Sequence, residues 1–225
     1  MIRRFLDKIS ERREKTVYLA MGDSIISDCY PGPGYGVASL LKRELGDGFD
    51  MWGRCRTGFM LTDMESQLPD LRPSPLCRVG LLSVGGNDLL SLDRAPDARW
   101  FEGFARRYRR LLEQLKFRYP KACWLICNLY DPSDGTAQFP GRVQRGHPPR
   151  PEILVWLAHL NDVIAAVAGP DLVDLHSACW GHGWSRRLPL WFQMDIEPNR
   201  EGAAQICRLL VQRLEVRSNG LKKKG

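Results

Sequence analysis

Three short segments of this 225-residue chain carry the groups that activate an alcohol and hold a negative oxygen. The first is Met21-Gly22-Asp23-Ser24-Ile25, a glycine and a serine where an apolar strand pattern gives out. A serine hydroxyl at a strand-to-helix turn sits at the positive end of a helix, where an alkoxide or oxyanion is stabilised. Serine is also a common helix cap, so this segment alone leaves both readings open. The second is Val84-Gly85-Gly86-Asn87-Asp88, whose glycine pair permits close backbone approach and whose Asn amide can donate to a developing negative oxygen. The third runs from Trp191 to Gly202 and places Asp195 and Glu197 just before Pro198-Asn199.

These segments need a frame that brings them together. TVYLAMGDS reads as a buried strand ending at a turn, and Gly36 to Leu45 as a helix closed by Gly46. FDMWGRC is a second strand, LTDMESQL a short helix, and CRVGLLSVGG a third strand that stops at two glycines. Phe101, Phe104, Tyr108, Leu111, Leu112, Leu115 and Tyr119 then form a long helical stripe that Pro120 ends. ACWLICNLY is the fourth strand; a helix with Ile153, Trp156, Leu157, Leu160, Ile164 and Val167 on one face follows, then the short strand DLVDL. A loop from His176 to Met194 leads to a last helix starting near Pro198, with Ala203, Ile206, Leu209, Leu210 and Leu214 on its buried face.

Alternating strands and helices predict parallel pairing with right-handed crossovers, hence a three-layer α/β/α sandwich around a flavodoxin-like sheet of about five strands. Ligands of such sheets bind outside the carboxyl ends of the strands. Gly22-Asp23-Ser24, Arg56-Thr57-Gly58, Gly85 to Asp88, Tyr130-Asp131 and the loop opening at His176 all fall there. The Pro- and Gly-rich stretch from Asp131 to Arg150 is long for a structureless connection and could cover the site.

The motifs and their order, from Gly22 to about Gly202, resemble the SGNH/GDSL hydrolase family. In that family a GDS motif supplies the nucleophile. A glycine after the second strand and the Asn of a GGND-like motif complete the oxyanion hole, and a D-x-x-H-P-N motif supplies acid and base. The resemblance makes Ser24 the nucleophile, with the Ser24 amide, the Gly58 amide and the Asn87 side chain as the oxyanion hole. Gly58 rests on its place after the second strand, and a plain turn glycine fits there equally.

The last motif departs from the pattern. Aligned on Pro198-Asn199, the family's His falls on Glu197 and its Asp on Met194, with Asp195 one place late. A serine hydroxyl is a poor nucleophile without a base, and imidazole suits the task because its pKa lies near neutrality. A carboxylate of ordinary pKa is weaker, although burial raises it. Three resolutions are open. Glu197 is the base, oriented by Asp195 or a backbone group; or a loop histidine fills the gap, His182 between its flanking glycines first and His176 next; or the pocket persists without chemistry. Each residue has a plainer alternative: a histidine packed on tryptophan, or a Glu197 carboxylate in the first turn of the last helix.

Composition bounds the rest. A 44% hydrophobic chain of this length can bury one full core, and no uninterrupted apolar run approaches the ~18 residues of a spanning helix. The seven scattered cysteines lack a C-x-x-C pair, which suits a reducing, cytoplasmic setting, and no metal-ligand spacing appears, so neither metal nor organic cofactor is expected. Residues 1–15 read as a basic amphipathic helix, 16–217 as the hydrolase-like domain and 218–225 as a basic tail. Docking of the N-terminal helix on the domain is favoured over contact with a membrane surface. The +7 net charge reads as solvated faces more readily than as a nucleic-acid site.

The leading expectation is a serine esterase acting on a small-molecule ester of a small or medium acyl group through an acyl-enzyme. The rivals are an SGNH-fold protein that binds an acylated or glycosylated ligand without turnover, and a module that binds anionic lipid or nucleic acid through its basic termini.

Overall fold

A computed structural model describes residues 15–144, 150–185 and 188–222. The expected N-terminal helix lies outside them. Five parallel strands form one sheet in the order β2-β1-β3-β4-β5: β1 Thr16–Gly22, β2 Phe49–Cys55, β3 Cys77–Ser83, β4 Cys123–Cys127 and β5 Leu172–Val173. Side chains alternate across a strand, and β1 shows what this does to the core. Val17, Leu19 and Met21 pack on one face with Tyr108, Leu112 and Leu160, while Tyr18 and Ala20 pack on the other with Leu41, Ile206 and Leu210. Burial on both faces is why the central strands read as continuous apolar runs.

Helices Ala98–Arg118 and Glu152–Ala168 cover the first face, and helices Val37–Leu45 and Arg200–Lys222 the second. The segment Glu152–Asp171 is, by length and hydropathy alone, apolar enough to cross a membrane, contrary to the impression given by uninterrupted runs. Its Ile153, Trp156, Leu157, Leu160 and Ile164 instead belong to the buried core. The last helix runs to Lys222, so the boundary expected at 217 falls inside it.

Several ends differ from expectation in informative ways. Val37–Leu45 closes at Gly46 as its sequence suggests, with the Gly46 N–H donating to Lys42 and Arg43 carbonyls. The last helix begins at Arg200 rather than at Pro198, because the Asn199 side chain accepts from the Gly202 N–H at 2.9 Å and so acts as its cap. Residues after Asp174 form a short helix, Leu175–Cys179, where a loop was expected. The stretch from Asp131 holds a turn built on the Asp131 carboxylate, which accepts from Ser133 N–H and Oγ and from Gly135 N–H, and a short helix at Pro140–Gln144.

The strand order places β1 and β3 side by side at the point where the chain reverses its direction of travel across the sheet. That switch point opens the crevice of a doubly wound sheet.

Candidate functional site

The nucleophile turn is set by a close approach. Gly22 ends β1 opposite Ser83, and a Cβ on Gly22 would lie 2.4 Å from the Ser83 carbonyl oxygen. Only glycine lets β1 and β3 stay this close where the chain turns. The Asp23 N–H donates to that same carbonyl at 3.2 Å, and Ser24 follows, buried, in a single turn closed by Ser27 N–H on Ser24 O. No helix starts here, contrary to expectation; the next begins at Val37. Pro31 and Pro33 interrupt the intervening segment, and the Asp28 carboxylate gathers Gly34 N–H, Gly36 N–H and Ser39 Oγ–H. Ser24 is therefore neither a helix cap nor at the end of a long helix dipole.

Its hydroxyl instead donates to Glu197 Oε1 at 2.9 Å across 173 residues of sequence. Glu197 opens β7 (Glu197–Pro198), which pairs antiparallel with β6 (Phe192–Gln193), so it lies before the last helix and not in its first turn. The turn between the two strands places Met194 and Asp195 in the left-handed region, at φ 47° and 73°. Side chains from elsewhere hold that unusual backbone: Tyr130 Oη–H donates to Ile196 O at 2.8 Å and Trp184 Nε1–H to Asp195 O at 2.6 Å. Asn199 adds Nδ2–H to Leu190 O. The arm that carries Glu197 is thus fixed on several sides.

Burial of Glu197 raises its pKa from 4.5 to about 7, against the lowering effect of the Ser24 hydrogen bond. Its Oε2 is buried and accepts no hydrogen bond from the described residues. Asp195 therefore does not orient it through a hydrogen bond; the Asp195 carboxylate accepts from Gly141 N–H at 2.5 Å and ties the arm to the 140–144 helix.

The histidines are placed elsewhere. His182 Nδ1 hydrogen-bonds the Pro189 carbonyl at 2.8 Å and its ring stacks on Trp191, with centroids 3.5 Å apart and planes at 13°. His176 lies in the helix Leu175–Cys179, beside Trp180. Among the described residues neither bonds Ser24 or Glu197. The glycines around His182 serve the loop and not an inward swing: a Cβ on Gly183 would lie 2.2 Å from Pro132 O, and the Gly181 and Gly183 amides donate to the Asp134 carboxylate.

After β3, Asn87 is the second residue of the short helix Gly86–Leu90 and donates through Nδ2 to Phe59 O at 2.9 Å. The neighbouring Asp88 accepts from Leu61 N–H at 2.9 Å. The two bonds fasten the turn Arg56–Thr57–Gly58–Phe59 beside Asn87, with Gly58 exposed at φ 81°. An Nδ2 group has two hydrogens, so one can hold the turn while the other remains for a ligand.

Sequence reasoning passed over Asp23. It is almost fully buried; Oδ1 accepts from Ile25 N–H at 3.0 Å and Oδ2 has no partner among the described residues. Burial, with a contribution from the negative charge of Glu197, raises its pKa from 3.8 to about 7. The signal was present, as an acid between the end of an apolar strand and the serine.

The family model of the GDSL-like Lipase/Acylhydrolase family matches residues 20–205. No curated protein sequence matches the chain. Among solved structures, the extracellular lipase of Streptomyces rimosus is similar at 14% identity, with 88% of this chain and 99% of that one covered and a TM-score of 0.67. The acetyl xylan esterase AlAXEase is similar at 15% identity, 87% and 98% coverage and a TM-score of 0.66. Phospholipase A1 of Streptomyces albidoflavus is similar at 17% identity, 89% and 100% coverage and a TM-score of 0.61. At these identities the likeness is one of fold.

Proposed function

Because the chain belongs to the GDSL-like lipase/acylhydrolase family, we propose that it is a serine esterase in which Ser24 and Glu197 form a two-residue nucleophile and base. The Ser24 Oγ–Glu197 Oε1 hydrogen bond of 2.9 Å carries the reading. A base works best with a pKa near the operating pH, and burial moves Glu197 to about 7. Ser24 Oγ attacks the ester carbonyl as Glu197 takes the hydroxyl proton. The oxyanion is held by the Asn87 amide with the Ser24 and Gly58 N–H groups. Collapse returns the proton to the departing alcohol and leaves an acyl-Ser24. Water, deprotonated by Glu197, then attacks that ester; the proton passes back to Ser24 Oγ and the acid is released.

A fluorophosphonate probe at pH 8 tests this directly. A single adduct mapped to Ser24 is expected; folded protein that stays unlabelled would move the reading to a crevice that binds an acylated ligand without turnover.

The carboxyl of Asp23 is coupled to this base. The negative charge of Glu197 helps raise the Asp23 pKa, and since a charge–charge interaction acts on both partners, Asp23→Asn is expected to lower the Glu197 pKa. The acidic limb of kcat/KM, centred near pH 7 in the parent, then moves to lower pH. A pH–rate profile checks this, and a limb that stays in place refutes the coupling.

A further inference from the structure

An apolar cavity adjoins the site, with about 80 Å³ of room for the centres of water-sized groups. Its wall includes Ile25, Gly86 and Ile196, the chain neighbours of Ser24, Asn87 and Glu197, so it lies beside these three residues although they do not line it themselves. Leu89, Leu129, Phe139, Ile153, Leu154 and Leu157 supply most of the remainder. The polar side chains in the wall are already engaged, Tyr130 with the Ile196 carbonyl and the Asp131 carboxylate with Ser133 and Gly135. A hydroxylated group placed here would lose its water without replacement bonds, whereas a hydrocarbon gains from leaving water. One water needs about 10–15 Å³ of such room, so the cavity has space for roughly five to eight groups of that size.

We propose that this cavity is the acyl site and that it selects unsubstituted straight acyl chains of about four to eight carbons over acetyl. The inference rests on the esterase reading and adds the substrate class to it. Leu154, partly exposed, and the buried Phe139 both line it.

The test is the chain-length series of p-nitrophenyl esters from acetate to dodecanoate. From acetate to hexanoate kcat/KM is expected to rise about fourfold per methylene, roughly two orders of magnitude in all, and to level off or fall beyond octanoate. Leu154→Trp should cut the hexanoate-to-acetate ratio at least about tenfold, and Phe139→Ala should move the optimum to longer chains. A flat or descending series, or a ratio unmoved by both variants, overturns the proposal.

Binding separates this from the chemistry. Hexanamide and acetamide titrated calorimetrically into the Ser24→Ala protein read the cavity alone. Hexanamide held at least about tenfold more tightly supports the acyl site even in a protein that hydrolyses nothing, a result that would count against the esterase reading only. Equal affinities overturn the acyl site.

Discussion

Glu197→Gln lowers kcat for ester hydrolysis by about a thousandfold and removes the part of its pH dependence between 6 and 8 that Glu197 imposes, the outcome expected when the carboxylate that accepts from Ser24 among the described residues can no longer take a proton. The substitution keeps the size of the side chain and leaves an oxygen to accept from Ser24 Oγ, so the loss is chemical rather than structural. Stability moves the other way. A carboxylate whose folded pKa is raised from 4.5 to about 7 holds its proton more tightly in the folded state, so stability falls as pH rises through that interval. The full shift corresponds to roughly 3 kcal/mol at pH 8, an upper bound, because the buried amide hydrogens of Gln would themselves lack partners. A net gain of about 1 kcal/mol, or a Tm higher by about 2–4 °C, is expected at pH 8 and should turn into a net loss near pH 4, where the amide cost alone remains. Initial rates and thermal melts at the two pH values check both halves. A variant that keeps a tenth of the parent kcat sinks the base assignment.

Asn87→Ala carries the second large effect. Removing one oxyanion donor costs about 10²- to 10³-fold in kcat. Asn87 also donates to Phe59 O, so its loss is expected to loosen the turn that carries Gly58 and, on the proposed assignment, to weaken two donors at once. Because these contacts strengthen only as charge develops on the oxygen, kcat should fall while KM stays close to the parent value. Steady-state kinetics on one ester separate the two parameters. A loss confined to KM would place Asn87 in ground-state binding instead.

The sheet was legible because buried parallel strands announce themselves as apolar runs, as TVYLAMG does for β1, while FDMWGRC matches the bounds of β2, an edge strand exposed or half-buried after Phe49. The helices that cover it follow from their stripes. Ends were harder where a side chain decides them: Pro198 carries the usual mark of a first turn, but the Asn199 side chain starts the helix after it. Of the candidate residues, Ser24 and Asn87 could be placed from motif order, because each follows a strand at the same end of the sheet, whereas Glu197 was one of several candidates for the base and lies in the separate β6–β7 pair. Asp195 could not, since its carboxylate meets Gly141, 54 residues away, and nothing local encodes that. For His182 the plainer alternative, packing on a tryptophan, is the one the structure shows. Flanking glycines signal a tight loop but not which way its ring faces, and Trp191 and Pro189 settle that.

A carboxylate in contact with the Ser24 hydroxyl also determines how charge travels during attack. A neutral imidazole that takes the proton becomes a cation facing a new anion. In the proposed step an anion is extinguished at Glu197 as another is born at the carbonyl oxygen, and the crevice ends with the net charge it began with. Charge migrates and is never separated. The discomfort of a buried, half-satisfied carboxylate in the resting protein is relieved in the same movement that forms the tetrahedral centre.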